Sequence, residues 1–310
     1  VSDATGIDPG LGPLAASLAD GRFVVTAELR TFDTADPAAV AAAVEPLRGL
    51  VDGVACTDNS GANPHLAPLA AARLVAEAGL EPIMQVSCRD RNRLALQSDL
   101  VAAGALGIRT VLLMGGDLVT AGDHPDAKAV FDLDAGGLLE AARTLRDAGT
   151  YLSGRALDTP PRWLVGAVEN PFMAPAEERP ARLASKVKAG AEFVVTQVGF
   201  DLEVLRRFCE TVAARDASVR APLLVSAFIP RSARNLEWLR DRVAGVGVPD
   251  AVVERVASRP ADEQAAEGRR LAVELAAAVR DYPGVAGVHL IPLNDAAAAA
   301  AVAREIRPAA

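Results

Sequence analysis

Gly190-Ala191-Glu192-Phe193-Val194-Val195-Thr196-Gln197-Val198-Gly199-Phe200 is the stretch on which the architecture turns. A glycine suited to ending a helix comes first, and a short apolar, β-branched run follows it. The same unit recurs along the chain. Predicted strands are Phe23–Leu29, Gly53–Asn59, Pro82–Cys88, Thr110–Gly116, Trp163–Asn170, Phe193–Phe200, Leu223–Pro230 and Val285–Leu293. Between them lie Ala- and Leu-rich stretches with apolar residues three and four apart, the spacing of amphipathic helices. Asp36-Pro37 is a helix start, an N-cap followed by proline in the first turn. Gly79, Gly107, Gly149 and Gly190 are stops. The interval before the eighth strand is longer and predicts three helices, Ala233–Gly245, Val248–Ser258 and Ala261–Tyr282, and Ala296–Ile306 is a final helix. Strict alternation of strand and helix demands a parallel sheet. Eight units predict an α/β fold, a (βα)8 TIM barrel, in preference to an open doubly wound sheet. No linker or composition break divides the chain, so residues 1–310 read as one domain, with 1–20 as an N-terminal extension.

The 310 residues are 51% hydrophobic and 23% charged, which excludes a disordered chain. A net charge of −8 argues against nucleic acid as a partner. No apolar run reaches the roughly 18 residues of a membrane span. Val1–Leu18 has neither a basic flank nor a signal core, so the expectation is no export. Cys56, Cys88 and Cys209 are few and widely spaced, which fits a reducing cytoplasm and neither a disulfide framework nor a zinc site.

In a barrel the C-terminal ends of the strands share one mouth. Here they carry Glu28, Thr57-Asp58-Asn59, Gln85, Cys88, Gly115-Gly116-Asp117, Glu169-Asn170, Gln197, Arg231 and Asn294-Asp295. The Gly/Asp/His/Pro-rich segment Leu118–Asp134 follows strand four on the same face. Glu28 ends an otherwise apolar strand. A carboxylate walled by apolar strands is partly desolvated and held toward its protonated form, which suits a general acid. The competing expectation is a solvated rim residue, or a salt bridge to Arg30 or Arg231. Asp117 follows two glycines that let backbone approach a ligand closely. It can accept from the N–H groups of a flat heterocycle or offset a developing cation, or simply cap a turn.

Other chemistries lack their signatures. No G-x-G-x-x-G follows a strand, and there is no P-loop and no G-x-S-x-G. His65, His124 and His289 have no metal-ligand spacing and read as loop or core histidines, and Asp123-His124-Pro125-Asp126 reads as a polar turn. Cys88 reads as a small buried residue rather than a nucleophile.

The order Thr26-Ala27-Glu28, Thr57-Asp58-Asn59-Ser60-Gly61, Gly116-Asp117, Ala191–Asp201, Val248-Pro249-Asp250 and Val288-His289-Leu290-Ile291-Pro292-Leu293-Asn294 resembles the methylenetetrahydrofolate reductase family over roughly residues 20 to 307. The segment Gly190-Ala191-(x)2-Val194-Val195-Thr196-Gln197 is the most specific part. The resemblance implies a (βα)8 barrel that reduces 5,10-methylenetetrahydrofolate to 5-methyltetrahydrofolate. Carried over by position, Glu28 is the general acid. Asp117 contacts the pterin and steadies the cation formed on ring opening. Gln197 and Asn294 contact the folate. Thr57, Asn59, Gln85, Gly116 and Asn170 fall on the nicotinamide or flavin side. NADH or NADPH is the implied co-substrate, a tetrahydrofolate the implied partner, and neither metal, membrane nor nucleic acid is implied.

The chain also departs from the flavin-dependent members. They carry Tyr and His where this sequence has Gly166 and Asn170, His at Gln85, Arg at Gly115, a basic residue at Ser185 beside the retained Lys186, Phe near Ala233 or Arg234, and Arg at Asp295. Most losses are flavin contacts, while the acid and pterin contacts survive. This puts bound FAD in doubt and resembles a flavin-independent, actinobacterial branch that passes hydride directly from nucleotide to folate. The same reaction through FAD and a non-catalytic folate-binding barrel are the alternatives.

Overall fold

A computed structural model describes residues 6–29, 32–243 and 245–307. Eight strands form a closed parallel barrel in sequential order: β1 (Val24–Leu29), β2 (Gly53–Cys56), β3 (Pro82–Ser87), β4 (Thr110–Met114), β5 (Leu164–Glu169), β6 (Phe193–Thr196), β7 (Leu223–Phe228) and β8 (Val285–Ile291). Closure rests on β8 pairing with β1, with Val24 opposite Gly287 and Thr26 opposite His289. That pairing excludes the open sheet.

The helices are α1 (Pro13–Ala19), α2 (Pro37–Val44), α3 (Pro68–Glu77), α4 (Arg93–Ala105), α5 (Ala135–Arg143), α6 (Arg179–Ala189), α7 (Leu202–Ala213), α8 (Ala233–Arg242), α9 (Asp250–Ala257), α10 (Gln264–Val279) and α11 (Ala296–Ile306). Their ends follow the predicted chemistry. Asp36, Asn92, Asp134, Asp201 and Asp295 each accept a backbone N–H in the first turn of the helix they precede. Gly79, Gly107, Gly149 and Gly190 all have positive φ just past a helix. The three extra helices before β8 are present as α8, α9 and α10, each shorter than predicted.

Alternation along the strands builds two apolar layers. Val25, Val54, Val86, Val111, Val165, Val194, Val225 and Val288 face outward and bury the inner stripes of the helices. Val24, Ala55, Ile83, Leu112, Leu164, Phe193 and Leu224 face inward and fill the barrel. Its floor is closed by Ile7, Leu11, Leu14, Ala15 and Leu18, from α1 and the segment before it. Burying each of the larger side chains contributes about 1.5–3 kcal/mol. Gly166 lies opposite Phe193 in the β5–β6 register, and a Cβ at 166 would stand inside the Phe193 ring.

β1 ends at Leu29 as predicted, and the other seven strands end one to four residues earlier than the apolar runs suggest. After β6, Gln197 still donates its N–H to Glu169, but Phe200 bonds the carbonyl of Gly247 instead of a strand. The apolar pattern therefore continues where the ladder has stopped. Among the described residues no helix is long and apolar enough to cross a membrane.

Candidate active site

Two residues above the apolar filling, the inward positions of β1, β2, β3, β7 and β8 turn polar, whereas Met114 and Val195 keep β4 and β6 apolar. Thr26, Thr57, Gln85, Ser87, Ser226 and His289 are all buried at this level. Glu28 stands at the rim of β1 with its side chain 26% exposed. His289 approaches from β8 with Nε2 4.0 Å from Glu28 Oε2, and its Nδ1 is 2.8 Å from Thr26 Oγ1. His289 is buried, as expected, but it borders the candidate acid. Arg231 makes no salt bridge with Glu28, and Arg30 lies outside the described residues.

A cavity of about 360 Å³ opens from Glu28 and is lined further by Ser60, Arg231, Asn235, Trp238 and the turn Pro292-Leu293-Asn294. Leu293 and Asn294 both adopt left-handed backbone, with φ of 48° and 69°. That turn leaves Asn294 exposed at the mouth and hands the chain to Asp295, whose carboxylate caps α11 through Ala298 N.

The β2–β4 sector is knit by ions. Asp58 accepts from Ser87 N at 2.7 Å and pairs with Arg91, which also holds Asp99. Burial pushes the Asp58 carboxyl above its ordinary range, outweighing Arg91 and the Ser87 N–H. Arg89, with a side chain 3% exposed, grips Asp90 and the carbonyl of Asn59. Asp90 is the main cause of a raised Arg89 pKa, and Asp58 and Asp117 add to it. Asn59 has left-handed backbone. Its amide donates to Asp90 at 3.0 Å and accepts from His65 N at 3.2 Å, so this side chain braces two loops. Thr57 and Gln85 are buried below it.

Gly116 carries the chain past β3 with φ of 93°, where a Cβ would press on Ser87 and Arg89 at 3.1 and 3.2 Å. Asp117 follows, exposed, and among the described residues nothing donates a hydrogen bond to its carboxylate. The turn-capping alternative is therefore not realised there.

At β5 and β6 the picture differs. Glu169 is buried and bonded by Lys186 at 2.6 Å, and Lys186 also donates to the carbonyl of Val168. Asn170 folds back to accept from Phe172 N at 2.9 Å, leaving its buried Nδ2 without a partner. Gln197 Oε1 accepts from Val198 N at 2.8 Å, and among the described residues its amide N–H groups have no acceptor.

The structure brings Glu28 and Asn294 into one cavity. It sets Thr57, Gln85, Gly116 and Asp117 along β2–β4, and Asn170 and Gln197 across the mouth. Cys88 is fully buried, and burial pushes its thiol up to about 11, so it is no nucleophile. Asp123 and His124 lie on an exposed turn. Among the described residues no group of three His, Cys, Asp or Glu side chains can hold a metal. Sequence patterns alone missed the cavity's Trp238. The signal was present: Ala233, Leu236 and Leu239 mark the buried stripe of α8, and Trp238 falls off it.

A closed (βα)8 barrel with a carboxylic acid at its mouth and polar strand ends around it defines a barrel of the enzyme type. A family model for methylenetetrahydrofolate reductase matches residues 15–307. The chain belongs to the methylenetetrahydrofolate reductase family. Among curated relatives it is similar to methylenetetrahydrofolate reductase 2 of Schizosaccharomyces pombe, 25% identical over 58% of this chain and 28% of that protein. It is also similar to a probable methylenetetrahydrofolate reductase (NADPH) of Caenorhabditis elegans, 21% identical over 72% of this chain and 32% of that protein. The alignments thus span under a third of those relatives' length. Among solved structures, a Clostridium thermocellum protein that binds two copies of 5-methyl-5,6,7,8-tetrahydrofolic acid shares the fold, with a TM-score of 0.67 at 12% identity over 94% of this chain and 98% of that one. DmoA of Hyphomicrobium sulfonivorans shares it at a TM-score of 0.59 and 11% identity, over 91% and 86% of the two chains.

Proposed function

We propose that this protein reduces 5,10-methylenetetrahydrofolate to 5-methyltetrahydrofolate with NADH or NADPH, by direct hydride transfer in a ternary complex. The observation that carries the proposal is Glu28: a partly exposed carboxyl at the cavity rim, bordered by buried His289 and, among the described residues, with no arginine or lysine ion pair. Glu28 protonates the bridging nitrogen, the carbon–nitrogen bond of the five-membered ring breaks, and the folate becomes a 5-iminium cation. The hydride leaves nicotinamide C4 for that exocyclic carbon, giving the methyl group and the oxidised nucleotide. Solvent then returns the proton to Glu28. The exposed carboxylate of Asp117 lowers the energy of the cation. Gln197 and Asn294 hold the folate. Thr57, Asn59, Gln85, Gly116 and Asn170 line the nucleotide side, Asn59 through the loop that it braces. Holding the two rings face to face supplies much of the acceleration. The related barrel with bound 5-methyltetrahydrofolic acid supports the choice of a folate.

FAD, which serves many members of the family, fits these residues poorly. The Phe193 ring occupies the space a side chain at 166 would need. Asn170 is turned back on Phe172 N, and Asp295 is spent on capping α11. No step is therefore routed through a flavin. The three free, buried cysteines suit a reducing, cytoplasmic setting.

The test is an absorbance spectrum of the purified protein, followed by NADH oxidation with methylenetetrahydrofolate and no added flavin. A colourless protein that turns over is the expected result. A flavin band, or turnover only after FAD is added, would replace direct transfer with a flavin relay. Folate binding without turnover under any donor would leave a binding barrel.

A further inference from the structure

A second cavity, of about 350 Å³, lies on the outer rim of the barrel floor, between the C-terminal end of α4 and the segment that enters β5. Helix-to-strand connections on this face are short: residues 78–81 lead into β3, 106–109 into β4 and 190–192 into β6. Such connections usually take about 2–6 residues. The one into β5 runs instead from residue 149 to residue 163. The excess chain is ordered. Thr150 bridges Ala156, Tyr151 N donates to the carbonyl of Arg155 at 2.9 Å, and Leu152 N donates to Gln97 Oε1 of α4 at 2.8 Å. The return leg, residues 159–162, passes α4 so closely that a Cβ at Gly104 would stand 2.7 Å from Pro161. Pro160 and Pro161 have fixed φ and no N–H, which stiffens this wall.

Val101, Ile108, Pro160 and Pro161 give the cavity an apolar side, and Arg109 and Arg162 give it a cationic one. Among the described residues no acidic side chain lines it. In a chain of net charge −8, two guanidiniums on one small cavity reverse the local sign. The segment before α1 already shows what they accept as partners. Arg162 donates to Asp8 Oδ2 at 2.7 Å, and Arg109 donates to the carbonyl of Gly10 at 3.2 Å. The Arg162 and Asp8 side chains are 66% and 51% exposed, and an ion pair that open to water is weakly held.

We propose that this cavity is a second binding site, for a small organic acid whose anionic head is held by Arg162 and Arg109 in place of Asp8 and whose apolar body lies against Ile108, Pro160 and Pro161. The head is a carboxylate or a phosphate ester, since a guanidinium fork matches either through paired N–H groups. The volume is that of a small ligand, because small-molecule sites begin at about 300 Å³. Asp8 is then a built-in competitor that occupies Arg162 until the acid displaces it. The site stands at the opposite end of the barrel from Glu28, so the acid does not compete with the reactants at the mouth.

Calorimetry on the full chain with benzoate, phenyl phosphate, benzyl alcohol and inorganic phosphate tests the site. Benzoate or phenyl phosphate should bind one to one, and the tighter of the two identifies the head group. Benzyl alcohol lacks the charge and inorganic phosphate lacks the body, so each should bind about tenfold more weakly or worse. Arg162→Gln should weaken the tighter acid about tenfold, with a thermal melt confirming that the variant is folded. Asp8→Asn keeps an oxygen for the Gly10 N–H and removes the competing charge. It should tighten binding about threefold, a gain that a purely structural Asp8 would not produce. The site is overturned if neither acid binds, if benzyl alcohol or inorganic phosphate binds equally well, or if the loss follows Arg231→Gln at the mouth instead of Arg162→Gln. Unchanged affinity in Asp8→Asn overturns the displacement of Asp8. None of these outcomes bears on the reduction proposed above.

Discussion

The two ends of the barrel are built from the same eight strands and do opposite things. At the floor the inward positions are Val24, Ala55, Ile83, Leu112, Leu164, Phe193 and Leu224, and α1 seals them from below. At the mouth the same faces present Glu28, Thr57, Gln85, Ser226 and His289, and the cavity beside Glu28 is walled by Asn235 and Trp238 of α8 and the turn after β8. The step from one regime to the other is two residues along a strand. Folding free energy is thus gathered at one end, and polar groups that cost folding free energy are tolerated at the other. The mouth can change its chemistry without renegotiating the core.

Three substitutions probe that division. The largest effect is expected of Glu28→Gln. It should lower turnover about 10³-fold, the worth of a positioned general acid, with an unchanged melting temperature and intact NADH binding. Steady-state NADH oxidation beside a thermal melt reads both quantities. Near-parental turnover would remove Glu28 from the chemistry, and a collapsed melt would make it structural. Leu14→Ala, at the floor, should do the reverse. It should cost about 2–5 kcal/mol in denaturant unfolding, as cavity-forming core substitutions do, while turnover per folded molecule holds. A loss of turnover without a loss of stability would mean that the floor speaks to the mouth. The smallest effect is expected of Asp117→Asn, which keeps the shape and removes the charge. It should lower folate kcat/KM roughly tenfold and leave the NADH KM nearly unchanged. Equal losses for both substrates would assign Asp117 to loop structure.

Most of the barrel was legible because its signals are local. Apolar β-branched runs, glycine stops and the Asp36 cap all act within a few residues, and the structure carries them at Gly79, Gly190 and Asp36, whereas Asp295, read as a residue of the mouth, proves to cap α11. What was not legible depends on contacts distant in sequence. The strand ends were overrun because an apolar pattern does not reveal where the ladder stops. His289 looked solitary because its neighbours Thr26 and Glu28 are brought to it only by closure of the ring. Asn59 drew attention by its place after β2, but its hydrogen bonds to Asp90 and His65 depend on two other loops. The lost side chain at 166 was visible, whereas the Phe193 ring that fills its place was not.

The pairing of β8 with β1 has a consequence in time. Synthesis delivers β1 before the other seven strands, yet its second edge stays bare until residues 285–291 have left the ribosome. Until then Glu28 has no His289 beside it, and the cavity lacks the wall supplied by Pro292, Leu293 and Asn294. The proposed acid therefore sits on the seam of the cylinder, where the first and the eighth strand meet. A nascent chain would carry the residue without its surroundings until β8 emerges, so competence arrives in one event and not by degrees.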